Sequence, residues 1–166
     1  MRHERSLWRK AGEWAGRATV RKTLAAPLLY LALGAARAAV LILPFRAYAP
    51  IFGEPCAAGH SKPDAPSLSP EAHHEGARAR RIGRTVEVIA STTPWKSNCL
   101  AQALVVAGCL RVLKIGFTVH FGVAQPEDTA TPIEAHSWVM AGAFPVTGYR
   151  ESLNMTCVHS FRYTSA

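Results

Sequence analysis

The sequence predicts an α+β domain in which one apolar helix packs on a small antiparallel sheet. Three observations carry this. "NCLAQALVVAGCLRVLKIG", 98–116, opens on Asn98, a good N-cap, and sets Leu100, Ala103, Leu104, Ala107 and Leu110 at helical spacing until Gly116 closes it. "FTVHFGV", 117–123, alternates Phe117, Val119, Phe121 and Val123 with Thr118, His120 and Gly122, the pattern of a half-buried strand. "EAHSWVM", "FPVTGY" and "CVHSFRY" then follow as short strand-like runs, separated by the loop "QPEDTATP" and the turn "AGA", which reads as a meander.

The segments ahead of that core are helical in pattern. "SLWRKAGEWAGRATVRKTL" places Leu7, Trp8, Ala11, Trp14, Ala15 and Ala18 at helical spacing with basic residues between them, a basic amphipathic helix. A second, apolar helix is expected from about 25 to 43, stopped by the missing N–H and ring clash of Pro44. Residues 50–71 are crowded with Pro, Gly and Ser and read as a loop. A third helix is expected from about 70 to 91, with Ile82, Val86 and Ile89 on one side and arginines on the other, broken at "TTPW" because Pro94 disfavours helical geometry in Thr93. The organisation expected is a helical segment over 1–53, a linker over 54–75 and a core over 76–166.

The chain has 166 residues, is 49% hydrophobic and carries a formal charge of +8, enough apolar content for one cored domain. Much of the charge lies in residues 2–22 and in "RARRIGR", 78–84. No aromatic residue interleaves the second run, so a single-stranded nucleic-acid surface is not expected, and a solvated helix face is the plain reading. The four cysteines, 56, 99, 109 and 157, form neither a C-x-x-C pair nor a disulfide framework, as in a chain of the reducing cytoplasm. The apolar run 23–45 is a poor membrane span: Arg37 near its centre costs roughly 2.5 to 3.5 kcal/mol on insertion scales, and Pro27 and Gly34 interrupt it. Peripheral membrane contact stays open. Motifs for phosphate loops, zinc peptidases and serine hydrolases are absent, and no metal or cofactor is expected.

Cys99 is the residue with chemical promise. It stands in the first turn of its helix, where unpaired N–H groups and the positive dipole end favour an anionic sulfur and can also hold an oxyanion. It needs a base. His136, 136 − 99 = 37 residues later, is expected to project with Trp138 and Met140 from one face of its strand, and a helix packed on that face would bring it to Cys99. From spacing alone the pair competes with an ordinary buried thiol and a structural imidazole. Cys109 lies about 15 Å farther along the same helix and reads as core. A solvent-facing role is expected for His120.

The stretch "PWKSNCLAQALVVAGCLRVLKIGFTVHFGVAQPED", with "AHSWVMAGAFPVTGY" after it, resembles the lasso-peptide biosynthesis B2 proteins, leader peptidases with a transglutaminase-like core. The resemblance spans 82–149, and the apolar helix ending in Leu43-Pro44-Phe45 extends it upstream. It implies Cys99 as nucleophile and His136 as general base, with Trp95, Gln102 and Trp138 as candidate substrate-binding positions. The aspartate that orients the imidazole in many members falls here at Gly148. Glu151 is the nearest carboxylate downstream and stands as candidate third member, with Asn154, a backbone carbonyl or water as alternatives. The implied partners are a lasso precursor peptide, a separate winged-helix leader-recognition protein, expected because the chain begins directly with its amphipathic helix, and an asparagine-synthetase-like cyclase. The rival readings are another thiol acyl transfer, such as transglutamination, on the same core, and a non-enzymatic membrane-associated scaffold.

Overall fold

A computed structural model describes residues 26–56, 69–124 and 133–165. The basic amphipathic segment over 6–24 and the loop 125–132 lie outside the described residues. Helix α1 covers 26–42 and ends before Pro44, whose φ of −65° and ψ of 147° turn the chain into the short helix α2 (Phe45–Tyr48) and a 3-10 turn, Ala49–Phe52. Strand β1 (Glu54–Cys56), helix α3 (Pro70–Ala90), helix α4 (Cys99–Val112) and strands β2 (Phe117–Val123), β3 (Ala135–Ala141), β4 (Phe144–Thr147) and β5 (Thr156–Tyr163) follow. The fold is α+β, as the periodicity predicts.

Two features depart from expectation. Glu54–Cys56 lies in the segment read as linker, yet it pairs antiparallel with β5, Glu54 opposite Arg162 and Cys56 opposite Ser160. Three residues with a central proline carry no alternation to detect. Helix α3 begins at Pro70, as expected, on the Ser69 N-cap, whose hydroxyl accepts from the Ala72 N–H at 3.1 Å. The sheet is not a simple meander either: its order is β1-β5-β2-β3-β4, so the last strand returns to the free edge of β2 instead of extending β4. There Phe161 pairs with Val119 and joins the core.

Helix α4 is the centre of the molecule. Ala103, Leu104, Val105, Val106 and Ala107 are all buried in succession, which requires cover on every side, and one core joins them to Val119, Val139, Phe161, Ala79, Val86, Leu33 and Ala36. Each fully buried Leu or Val contributes about 1.5 to 3 kcal/mol. Arg111, placed to suit the helix dipole, also donates to the Pro50 carbonyl at 2.9 Å and lies 4.5 Å over the Tyr163 ring, tying the 3-10 turn to the sheet.

Helix α1 is apolar on two sides. Leu33 and Ala36 face the core, while Leu28, Leu31 and Ile42 are 66%, 69% and 78% exposed. No helix among the described residues is long and apolar enough to cross a membrane.

Helix α3 lies unusually close to β4. A Cβ on Gly83 would collide with the Val146 carbonyl oxygen, and one on Gly76 with the Phe144 ring. At Gly108, within α4, a Cβ meets nothing within 4 Å. Gly83→Ala is therefore expected to destabilise the protein by about 1 to 3 kcal/mol through overpacking, and Gly108→Ala to stabilise it by roughly 0.5 to 1 kcal/mol through helix propensity. Urea denaturation midpoints measure both; equal shifts of one sign would contradict the packing described.

Candidate active site

The loop before α4 is held by its own polar groups. The Thr93 hydroxyl lies 2.8 Å from the Ala90 carbonyl and 2.9 Å from Ser97 Oγ. The Asn98 side chain caps the helix, accepting from the Ala101 N–H at 3.2 Å, and its carbonyl accepts from the Gln102 N–H at 3.1 Å. By helix geometry the N–H groups of Cys99 and Leu100 are then the ones left without an intrahelical acceptor, at the point where the thiol emerges. Gln102 donates from Nε2 to the Ser97 carbonyl at 2.7 Å, tying the first turn to the loop.

His136 is the second residue of β3, and its ring Nε2 lies 2.8 Å from the Gly148 carbonyl oxygen. A carbonyl only accepts, so Nε2 carries the proton and the neutral ring keeps its lone pair on Nδ1. Nδ1 makes no hydrogen bond among the described residues. The position expected to supply a carboxylate supplies a backbone oxygen instead. Gly148 takes φ +70°, and a Cβ there would stand 2.9 Å from His136 Nε2 and 2.7 Å from the Ser137 carbonyl oxygen, so the close approach depends on glycine. Glu151 sits exposed in the 3-10 turn Glu151–Asn154 nearby, but it is not the hydrogen-bond partner of the imidazole.

The face of β3 requires a correction. Val139 and Ala141 join the core with α4, so His136, Trp138 and Met140 alternate onto the opposite face of the sheet. His136 reaches the thiol side because it stands at the very end of the sheet, where Gly148 has left β4. Along its own face it begins a column of rings: Trp138 lies 6.4 Å away at 12°, and His120 follows at 5.3 Å and 26°. His120 Nδ1 lies 2.9 Å from Ser160 Oγ. His120, expected at the surface, is 1% exposed.

Cys99 and His136 line one cleft of about 530 Å³ together with Ser97, Gln102, Gly148 and Glu151. Ser137, Thr147, Glu87, Ala90 and Ser91 complete its walls. Trp95 and Trp138 do not. The Trp95 indole packs edge-on to Tyr30 at 5.1 Å and over Gly34 of α1, and Trp138 is buried in the ring column. Sequence reasoning missed Glu87, whose carboxylate accepts from the Thr147 hydroxyl at 2.8 Å and ties α3 to the residue before Gly148. It also missed Ser137, whose buried hydroxyl has no hydrogen-bond partner among the described residues. Neither had a local signal beyond polarity. Burial pushes the Cys109 thiol up, where it packs half-buried against the core.

Together the cleft offers a thiol beside free backbone donors and an imidazole whose tautomer is set for proton uptake, the parts of nucleophilic acyl chemistry. Two outcomes follow for iodoacetamide alkylation read by mass spectrometry near neutral pH. Cys109 should react more slowly than Cys99 and catch up only as alkaline pH ionises the raised thiol; the reverse order would contradict its burial. Gly148→Ala, which crowds Nε2, should slow alkylation of Cys99 by about tenfold if the imidazole is displaced from its carbonyl.

No curated protein and no solved structure matches the chain. The Transglutaminase-like superfamily domain matches residues 39–158, a span that takes in α4, the cleft and nearly the whole sheet. The match covers well over half of the sequence, and the chain belongs to the transglutaminase-like superfamily.

Proposed function

We propose that this protein is a cysteine peptidase that removes the leader from a ribosomally made lasso-peptide precursor. The observation that carries the thiol chemistry is the shared cleft, in which His136, oriented through Nε2 by the Gly148 carbonyl, and Cys99, at the free N-terminal donors of α4, line one space. The superfamily match supports a cysteine-based enzyme. The narrower substrate rests on the likeness of 82–149 to the B2 leader peptidases.

In this reading His136 Nδ1 takes the Cys99 proton, and the sulfur attacks the carbonyl at the leader–core junction. The tetrahedral oxyanion accepts from the Cys99 and Leu100 N–H groups. The C–N bond breaks as Nδ1 returns the proton to the leaving amine, which frees the amino group of the core peptide. Water, deprotonated by the same nitrogen, then hydrolyses the thioester and releases the leader carboxylate and the thiol. The Gly148 carbonyl stabilises the transient imidazolium as a dipole, more weakly than a full carboxylate charge would. A separate winged-helix protein delivers the leader, and an asparagine-synthetase-like cyclase consumes the freed amine.

A second reading, acyl transfer to an amine in place of water, uses the same atoms and is favoured by the superfamily's breadth. Product masses separate the two: hydrolysis yields leader and core fragments, transfer retains the acyl group on an acceptor. In an assay with precursor and recognition protein, Cys99→Ala and His136→Ala are each expected to lower cleavage by about a thousandfold or more, with the double variant no lower, since such groups act as a unit. Unchanged function in Cys99→Ala would return the protein to a scaffold role. Omitting the recognition protein should reduce the rate; equal rates would remove it as a partner.

A further inference from the structure

Beside the thiol cleft runs a second groove of about 400 Å³ that shares Glu87, Thr147, Gly148 and Glu151 with it. Its other walls bear Arg80 and Arg84 of α3 and Arg150 from the turn after Gly148. Among the described residues, the side chains of these three arginines make no hydrogen bond or ion pair. The groove thus carries three guanidiniums against the two carboxylates of Glu87 and Glu151, an excess of positive charge that an anion placed between the arginines relieves. Positions 80, 84 and 87 follow helical spacing, so Glu87 at the cleft, Arg84 and Arg80 form one line on one face of α3.

We propose that this groove binds carboxylate side chains of the peptide substrate, a specificity site for acidic residues that rests on the peptidase reading of the cleft. The geometry specifies where the acid falls. Arg84 is three residues from Glu87 and Arg80 seven, about 4.5 and 10.5 Å along the helix axis. An extended peptide advances roughly 3.3 Å per residue, so its acidic residue sits about one to three positions beyond Glu87, which lines the cleft where the scissile bond lies. Glu87 and Glu151, at the junction of the two spaces, disfavour an acid right beside that bond. Arginine suits the task because its planar fork receives a carboxylate through two parallel hydrogen bonds.

The test uses the full chain and does not require turnover. Alkylation of Cys99 by iodoacetamide is timed with and without an acetylated, amidated Gly-Asp repeat peptide, its Gly-Asn counterpart, or anionic lipid vesicles. Each rate is taken relative to the same protein without additive. The Asp peptide is expected to slow alkylation about fivefold or more, the Asn peptide far less, and the protection to vanish in the Arg80→Gln/Arg84→Gln variant. Equal protection by the two peptides, protection that survives in the double variant, or protection by vesicles alone would overturn the proposal. Failure of the peptidase reading is separately visible: Asp-specific protection without precursor cleavage retains the groove and removes the peptidase, and cleavage lost in Cys99→Ala without Asp-specific protection does the opposite.

Discussion

The hydrogen bond from His136 Nε2 to the Gly148 carbonyl is the constraint on which the rest of the site depends. It sets the tautomer, leaves Nδ1 as the basic nitrogen and holds the ring at the end of the sheet toward the cleft that Cys99 lines. A carboxylate would do the same with more charge. A backbone oxygen works here because it is positioned by the fold, without the side-chain freedom that an aspartate would have to lose. The same choice obliges the residue to be glycine, since φ +70° and the contact with the imidazole both exclude a Cβ.

That carbonyl is only as well placed as the end of β4, and β4 is held by α3. The helix approaches so closely that Gly76 and Gly83 are needed beneath it, and the Glu87–Thr147 hydrogen bond clamps the pair one residue before Gly148. On the other side the imidazole stacks on Trp138, which stacks on His120, which meets Ser160 of β5. Helix packing and ring stacking thus converge on one ring orientation from two faces of the sheet. Arg80 and Arg84 of the neighbouring groove ride on the same helix as the clamp, so the groove and the imidazole support share a rigid element.

The legible parts of the molecule are those with a local physical cause. Asn98 before Cys99 announces a helix start because a capping side chain acts over three residues, and the strand of Phe117, Val119 and Phe121 announces itself because its apolar side chains alternate with Thr118, His120 and Gly122. β1 left no trace, since three residues cannot show a period. His120 looked like a surface residue because it stands among the polar alternates, yet it is buried on the second face of the sheet, where Trp138 stacks on it and Ser160 meets its Nδ1. Trp95 stood as a candidate because the resemblance marks it as a motif position, yet its indole turns toward Tyr30 and Gly34 of α1.

By itself the sequence determined the fold class, the helix that presents Cys99 at its first turn, and the strand that bears His136, because capping and hydrophobic period act between near neighbours. Only the tertiary structure decided how the two meet: not through a shared face, as alternation suggested, but around the end of the sheet, with Gly148 supplying the oxygen where a carboxylate was sought. It also decided that β5 returns to β2 and that Arg80, Arg84 and Arg150 gather around one groove. Those outcomes depend on contacts between segments far apart in the chain, whose selection rests on total buried area and not on any local pattern.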